Sequence, residues 1–398
     1  MKRVLLIYHF FHPDTVVSAR LFSDLAEDLQ KAGMQISVFT CNRLIRSDTQ
    51  LAAEENWHGI RILRFSRPGF AQGSNIGRLI NSAILQLKWI WAFFRMRKEF
   101  DAVIVGTDPQ FCYFMFPFFR LANRKLTICH WVFDLYPEAI LVNSPKWMKI
   151  AASLIKPMLP LLYRRVNIMA DIGSCMRDRV KQYKHNAVCE TLTPWALVEP
   201  SEIPPACPEM RKELFGDAKI GLLYSGTVGY AHDLTDFIKL ARTCREKKID
   251  AAFCFAGYGN RYKELIKSIT PEDTNIRLAG FASEKDLERR LSAADIHLIS
   301  LRPGWEGIVV PSKFFGALAI GRGVLFAGAD NGEIPQWIKQ HHIGELLSDD
   351  TPEWLGKMIR NPELICEMQK NAFDSYNAHF SRTIVSQGWI DLFQTDRE

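Results

Sequence analysis

Short apolar runs alternate with longer stretches of helical spacing, and the alternation is played out twice along this chain. Residues 4–8 (VLLIY) and 36–40 (ISVFT) flank residues 18–32, where Leu21, Phe22, Leu25, Ala26 and Leu29 share one helical face before Gly33 ends it. A short, nearly continuous apolar run suits a strand buried on both faces, and strand–helix–strand in this order calls for a parallel sheet. Further strand-like runs lie at 60–65, 102–106, 126–131, 168–172 and 187–191. Helical patterns lie at 76–97, at 146–166 with breaks at Pro157 and Pro160, and at 175–182. Residues 42–59 are polar and read as a loop.

Five prolines, Pro194, Pro200, Pro204, Pro205 and Pro208, then fall close together. Such a cluster marks a linker. Beyond it the alternation restarts, with strands expected at 220–224, 252–256, 276–279, 296–300 and 324–327. Helices are expected at 234–247, 261–269, 284–293, 335–341 and 352–380, and a last apolar-faced helix at 383–391. The expected class is therefore α/β, with two doubly wound Rossmann-like domains facing across a cleft: 1–195, a linker at 196–210, and 211–380. A chain of 398 residues suits two domains. In such sheets ligands bind at the carboxyl ends of the strands. No G-x-G-x-x-G follows Tyr8, so a dinucleotide is not indicated.

Composition narrows the class. Charged residues are 24% and hydrophobic residues 47%, as in ordinary globular proteins. The net charge of +6 is spread without a long basic block, which argues against nucleic acid as partner. Nine cysteines with no C-x-x-C pair fit a reducing compartment rather than a disulfide framework or structural zinc. The apolar residues after Met1 run into His12-Pro13-Asp14 instead of a small-residue cleavage site, so a cytoplasmic location is expected. Residues 84–98 and 111–125 combine aromatic side chains with flanking cations. They read either as buried domain helices or as helices lying against an anionic membrane.

The stretch 306–324, EGIVVPSKFFGALAIGRGV, reads as loop, short helix and the start of a buried strand. Ser312 is a good N-cap residue and Gly321 a good stop. Glu306 can accept hydrogen bonds from hydroxyls. Lys313 brings a charge into the first helical turn, where a helix N-terminus suits a diphosphate. An ordinary loop–helix–strand connection with surface charges is the alternative on residue types alone.

The order of motifs resembles that of GT-B-fold glycosyltransferases of family 4, in the colanic-acid-type group that acts in bacterial surface-polysaccharide synthesis. The motifs are YHFFHPDTVVSAR, HWVFDLYPEA, YSGTVGYAHDL, FAGYGNRYKEL, IRLAGFASEKDLERRLSAADIHLISL and EGIVVPSKFFGALAIGRGVLFAG, and they span nearly the whole chain. The resemblance implies transfer of a sugar, with retention, from a nucleotide diphosphate to an acceptor hydroxyl without a bound metal. The nucleotide sugar is then a co-substrate and no cofactor is expected; the sequence contains no Asp-x-Asp. A lipid-linked, polyprenyl-diphosphate-type glycan is the implied acceptor, with peripheral contact at the inner face of the plasma membrane. The resemblance also sends the last segment, 381–398, back to the first domain. It makes that domain the acceptor side and 211–380 the nucleotide-sugar side.

Residue by residue, the resemblance assigns donor binding to Ser225, Gly226, Gly257, Gly259, Phe281, Ser312 and Lys313. It assigns catalytic roles to Glu306 against the donor sugar, His130 near the reacting sugar and Asp134 at the acceptor hydroxyl. A core histidine is the plainer reading of His130, and an N-cap or Asx turn that of Asp134. The chain departs from the family at three places. Val16 and Val17 stand where a glycine pair is usual, Gly316 replaces the glutamate that holds the nucleotide ribose, and Tyr230, Ala231 and His232 replace a phosphate-binding cation. These departures motivate a second reading, a catalytically silent subunit that binds nucleotide sugar or a partner enzyme.

Overall fold

The computed structural model describes residues 1–45, 47, 49–70, 75–259, 261–280 and 282–394. The chain forms two compact units. The first comprises residues 1–193, 307–309 and the chain from 385 on; the second comprises 194–306 and 310–384.

The first unit is built on an eight-stranded sheet. Its strands are β1 (Arg3–Ile7), β2 (Gln35–Cys41), β3 (Glu54–Trp57), β4 (Ile60–Phe65), β5 (Ala102–Gly106), β6 (Thr127–Trp131), β7 (Ile168–Asp171) and β8 (Val188–Thr191). They lie in the order β3-β4-β2-β1-β5-β6-β7-β8. All neighbours pair in parallel except β3 with β4, which is antiparallel. Every residue of β5 is buried, as are Val4 to Ile7 of β1, which is what helices on both faces of a parallel sheet require. β3 falls inside the expected loop at 42–59. Its EENW sequence has no apolar alternation because it is an edge strand with one neighbour.

Helix α1 (Val17–Lys31) crosses from β1 to β2, and α2 (Asn75–Met96) from β4 to β5. The connection from β5 to β6 carries α3 (Phe116–Ala122). That from β6 to β7 carries α4 (Glu138–Asn143), α5 (Lys146–Ile155) and α6 (Leu159–Tyr163). Pro157 and Pro160 account for the break between α5 and α6, bridged by a 3-10 turn at Lys156–Met158. Trp89, Phe93, Phe116 and Phe119 are wholly buried, so much of the aromatic content of 84–98 and 111–125 fills this unit's core. Of the two readings of these stretches, buried domain helix or membrane-lying helix, burial of these side chains fits the first, while Trp91 and Phe118 face outward.

The final helix, Arg382–Gln394, lies mostly in the first unit. Trp389 is buried against Trp131, with ring centroids 5.4 Å apart. Ser386 Oγ donates to Asp28 at 2.7 Å, and Lys2 Nζ to the Phe393 carbonyl at 2.7 Å.

The second unit carries six parallel strands. They are β9 (Ile220–Thr227), β10 (Ala251–Tyr258), β11 (Ile276–Ala279), β12 (Ile296–Ser300), β13 (Gly323–Ala327) and β14 (Gly344–Leu346), in the order β11-β10-β9-β12-β13-β14. Both sheets are doubly wound. Their strand order reverses at β1 in the first unit and at β9 in the second, and such a switch point opens a crevice at the carboxyl ends of the strands.

The proline-rich stretch is not the free linker that its composition suggests. The boundary between units falls after Thr193, and the stretch packs on the second unit. Arg322 donates to the Pro204 carbonyl at 2.7 Å, Ile203 lies against Gly321, and Pro208–Phe215 is a helix burying Leu214 and Phe215. Proline removes backbone donors and fixes φ, which stops regular structure without detaching the chain. The expected helix at 352–380 is two, Thr351–Arg360 and Pro362–His379, separated at Asn361 by the constraint a proline places on the residue before it.

Candidate active site

In the second unit the switch point lies between β9 and β12. Strand β9 runs through Tyr224 and Ser225 into Gly226, whose φ is +130°. Any Cβ on Gly226 would sit 2.8 Å from Lys313 Cε, so the missing side chain lets the lysine lie across the strand end. A Cβ on Gly257 would stand 2.0 Å from the Gly226 carbonyl oxygen. One on Gly259 would stand 2.6 Å from that of Val228. Three of the expected donor residues, Gly226, Gly257 and Gly259, therefore form one bare stretch of backbone, and Ser225 borders it half-buried.

Lys313 begins the helix Lys313–Ala319. Its ammonium lies 5.1 Å above the Tyr224 ring and 3.4 Å from His232 Nε2. The other nitrogen of His232, Nδ1, is 2.8 Å from the Ser300 carbonyl. A carbonyl only accepts, so Nδ1 carries the proton and Nε2 presents its lone pair to Lys313. Burial, helped by the nearby ammonium, pushes His232 down to about 3 and keeps it neutral. Burial also lowers Lys313 to about 8. The result is a partly desolvated cation resting on one neutral acceptor and one aromatic face.

Ser312 does not cap this helix. Its side chain makes no capping bond, and its φ and ψ of −60° and −21° are already helical. The helix has seven residues, so the expected diphosphate-binding helix start is reduced to Lys313 itself. Glu306 sits in the loop after β12, where both carboxylate oxygens accept the Gly304 N–H at 2.9 and 3.1 Å. Its Cγ is 3.7 Å from where a Gly332 Cβ would stand, next to the start of helix Glu333–His341. Gly316 has open space: the nearest atom to a Cβ there is Leu291 Cδ1 at 4.0 Å. Phe281 lies outside the described residues.

In the first unit the switch point gathers Tyr8 and His9 after β1 and Thr107 and Asp108 after β5. The Thr107 hydroxyl accepts the Phe133 N–H at 2.8 Å and so holds the start of the 133–137 segment. Asp134 pairs there with Val309 as an isolated bridge, and the Leu135 N–H donates to the Ile308 carbonyl at 2.9 Å. Burial first, and the Asp108 charge second, push Asp134 up to about 6. A carboxylate so placed is ionised at neutral pH yet basic enough to take a strong hydrogen bond from a hydroxyl. His9 is buried, with Nδ1 3.1 Å from Asp108 Oδ1. Burial alone would lower His9; the Asp108 charge and hydrogen bond outweigh it and hold the ring at about 9.

His130 does not join this group. It is 1% exposed, its Nε2 lies 3.4 Å from Cys112 Sγ, and its ring packs among Phe116 and Tyr163. Burial drives it down to about 3, so it stays neutral. These contacts fit the plainer reading of His130, a core histidine, better than a place beside the reacting sugar: side chains alternate along β6, and this one points into the helical layer. Sequence reasoning also passed over His232, noting it only as a substitute for a family cation. The signal it had was a histidine soon after the YSGTVG strand end; its partnership with Lys313, 81 residues away, was not visible.

No family model matches the chain. The probable glycosyltransferase WbjE of Pseudomonas aeruginosa is 25% identical over 347 residues, covering 81% of this chain and 80% of that protein. Among solved structures, sucrose-phosphate synthase from Thermosynechococcus elongatus superposes with a TM-score of 0.72 at 12% identity, covering 99% of this chain and 98% of that one. WaaG, a glycosyltransferase involved in lipopolysaccharide biosynthesis, superposes with a TM-score of 0.64 at 14% identity, covering 98% of this chain and 100% of that one. Structures of the same fold have been solved with ADP and with UDP. The fold is that of the GT-B glycosyltransferases, with two Rossmann-like α/β units and parallel sheets. The curated relative and these structural neighbours are of one enzyme class, and the chain is a glycosyltransferase of GT-B type.

Proposed function

We propose that this chain is a retaining, metal-independent glycosyltransferase of family 4. It moves a sugar from a nucleotide diphosphate to a lipid-linked, polyprenyl-diphosphate-type glycan in cell-surface polysaccharide synthesis. The carrying observation is Lys313, laid over glycine backbone with a neutral histidine and an aromatic ring against its ammonium. A diphosphate leaving group gains negative charge as the glycosidic bond breaks, and a preformed, partly dry cation stabilises that charge without solvent reorganisation. His232 Nε2 keeps the ammonium pointed over the strand end. The bare backbone at Gly226, Gly257 and Gly259 gives the phosphates and sugar room to approach. Glu306 accepts hydrogen bonds from donor-sugar hydroxyls, and Asp134 accepts one from the acceptor hydroxyl. Lys313 answers the need that a metal answers in other glycosyltransferases.

The surface-polysaccharide context is supported by the likeness to WaaG, a glycosyltransferase involved in lipopolysaccharide biosynthesis. Retention, family 4 and the polyprenyl acceptor rest on the motif resemblance. A cytoplasmic position, peripheral to the inner face of the plasma membrane, accords with that acceptor. Among the described residues no helix is long and apolar enough to cross a membrane.

One observation favours a second reading, a silent subunit that binds nucleotide sugar or a partner enzyme: Gly316 leaves empty the place of the ribose-binding glutamate. A single experiment separates the two. UDP- and GDP-sugars are screened by thermal shift, where a ligand at a hundred times its dissociation constant adds about 2.7 kcal/mol. The best binder is then tested for nucleotide release with a polyprenyl-diphosphate-linked acceptor. Acceptor-dependent release supports the enzyme; binding without release supports the silent subunit.

A further inference from the structure

Just past β1, His9 lies between the ends of β2 and β5, the two neighbours of that strand. On the β5 side its N–H donates to the Asp108 carbonyl at 3.1 Å, and its Nδ1 is 3.1 Å from Asp108 Oδ1. On the β2 side its carbonyl accepts the Thr40 hydroxyl at 3.0 Å and the Cys41 N–H at 3.1 Å. The backbone thus fixes the imidazole next to the last residue of β2. Asp108 takes Nδ1. The other nitrogen, Nε2, is buried without a well-formed hydrogen bond, and the group beside it is the Cys41 thiol. Aspartate, histidine and cysteine stand in a row, the arrangement in which a carboxylate orients an imidazole and the imidazole serves a sulfur.

Burial alone makes a cysteine inert, because a charged sulfur is disfavoured away from water. Cys244 and Cys254 follow that rule: burial pushes each up to about 12. Cys41 breaks it. The residue is only 4% exposed, and burial raises its thiol, yet the hydrogen bond and charge of His9, the Arg43 N–H and the Arg67 cation together hold it below the ordinary cysteine value. Against its own burial, His9 is kept at about 9 by Asp108 and Cys41, so the ring brings a proton and a positive charge to the sulfur. Two further charged groups on the surrounding elements have other partners. Arg64, opposite Thr40 on β4, lies 2.6 Å from Glu55, and Asp14, on the loop before α1, accepts the Ile45 N–H at 2.9 Å.

We propose that Cys41 is a peroxide-reactive thiolate, a modification site at the carboxyl edge of the first unit's sheet. The sulfur attacks one oxygen of a small hydroperoxide such as hydrogen peroxide. An S–O bond forms as the O–O bond breaks, the sulfur gives up two electrons to the peroxide, and a sulfenic acid results. The leaving hydroxide takes the Nε2 proton of His9 and departs as water, which leaves the imidazole neutral on Asp108. A nearly enclosed sulfur suits a reagent little larger than water. The sulfenic acid is the reversible stage of cysteine oxidation. Oxidation also removes the cation facing Asp108, whose charge acts on Asp134.

The full chain is given a short pulse of hydrogen peroxide near pH 7, the excess is destroyed with catalase, and the protein is then unfolded in dimedone, so the trap needs no path into the fold. Peptide mass spectrometry reads the adduct at each of the nine cysteines. Cys41 gains the adduct faster than the exposed Cys366, which serves as the rate standard. His9→Gln lowers the Cys41 rate about tenfold or more, since an opposite charge at this range moves a pKa by a unit or more. Asp108→Asn, at a half-exposed side chain, lowers it in the same direction without opening the core. Near-UV circular dichroism checks that the variants fold. Urea added before the pulse abolishes the preference for Cys41, because the unfolded sulfur has lost His9. Labelling is measured without turnover, so its outcome is independent of the glycosyltransferase reading. The proposal is overturned if Cys41 labels no faster than Cys366, or if His9→Gln and Asp108→Asn both label like wild type. It also falls if the Cys41 rate rises in urea.

Discussion

Lys313→Ala removes the cation at the end of β9. The ammonium touches a neutral acceptor, His232, and an aromatic face, Tyr224, and among the described residues no carboxylate pairs with it. The effect should therefore fall on ligand binding. A hydrogen bond to a charged group is worth about 1.5–3 kcal/mol, so nucleoside diphosphate affinity should drop roughly 10- to 150-fold. The pH dependence follows from the same group. Lys313 is lowered by burial from 10.5 to about 8, so the cation is complete below that pH and lost above it. The dissociation constant of the wild type should be level below about pH 7 and about tenfold weaker by pH 9. His232, held near 3, adds no break in that range. Stability moves the other way. Between the folded value near 8 and the unfolded 10.5 the unfolded chain binds more protons, so the ligand-free protein should gain stability as pH rises. Lys313→Met should abolish that gain. Isothermal titration with the nucleoside diphosphate that gives the larger thermal shift, UDP or GDP, reads the affinity; urea melts at pH 8 and 10 read the stability. Wild-type affinity in Lys313→Ala, or an affinity unchanged between pH 7.5 and 9, would refute the reasoning.

Other outcomes are open to the same tests. Glu306→Gln should cut sugar transfer by about 1.5 kcal/mol or more while leaving nucleoside diphosphate affinity nearly unchanged; equal losses in titration and turnover would place Glu306 on the nucleotide instead. Transfer should survive EDTA, and activity that vanishes and returns with Mg or Mn would end the metal-free mechanism. Trp389→Ala should cost about 3–5 kcal/mol in urea denaturation, since the indole is buried against Trp131. A cost below about 1 kcal/mol would mean that the final helix is not part of the first unit's core. Gly316→Glu should fold at least as well as wild type, because the nearest atom to the new Cβ is 4.0 Å away and glycine is a poor helix former. It should also tighten nucleoside binding; a lowered melting temperature would show that the space is not there.

The features legible from sequence were those that depend on neighbours along the chain. Alternating apolar runs and helical stripes marked nearly every buried strand of both units, because a strand covered on both faces must be apolar throughout. The edge strand β3 escaped, since EENW carries no such pattern. Glu306 and Lys313 stood out as candidates because loop and helix start are local chemistry, whereas the three glycines were singled out by the family resemblance. The helix start was only half right: Ser312 has the residue type of a cap but not its backbone angles.

The rest was decided by contacts between residues far apart in the chain. His130 and Asp134 stand four residues apart, yet one is sealed among Cys112, Phe116 and Tyr163 while the other stands at the strand edge. Only the packing of α3 and α6 on β6 decides that. The tautomer of His232 is set by a carbonyl 68 residues away, and its partner cation lies 81 residues away. The aromatic stretches at 84–98 and 111–125 satisfied two readings because periodicity tells which residues share a face, not what covers it. Burial settled the question residue by residue: Trp89 went inward and Trp91 outward, and α5, which its sequence did not set apart, was left with the most exposed apolar face. Sequence by itself determined the layers and the reactive residue types; tertiary structure decided which of them meet, because desolvation and hydrogen-bond partners belong to the folded surroundings and not to the residue.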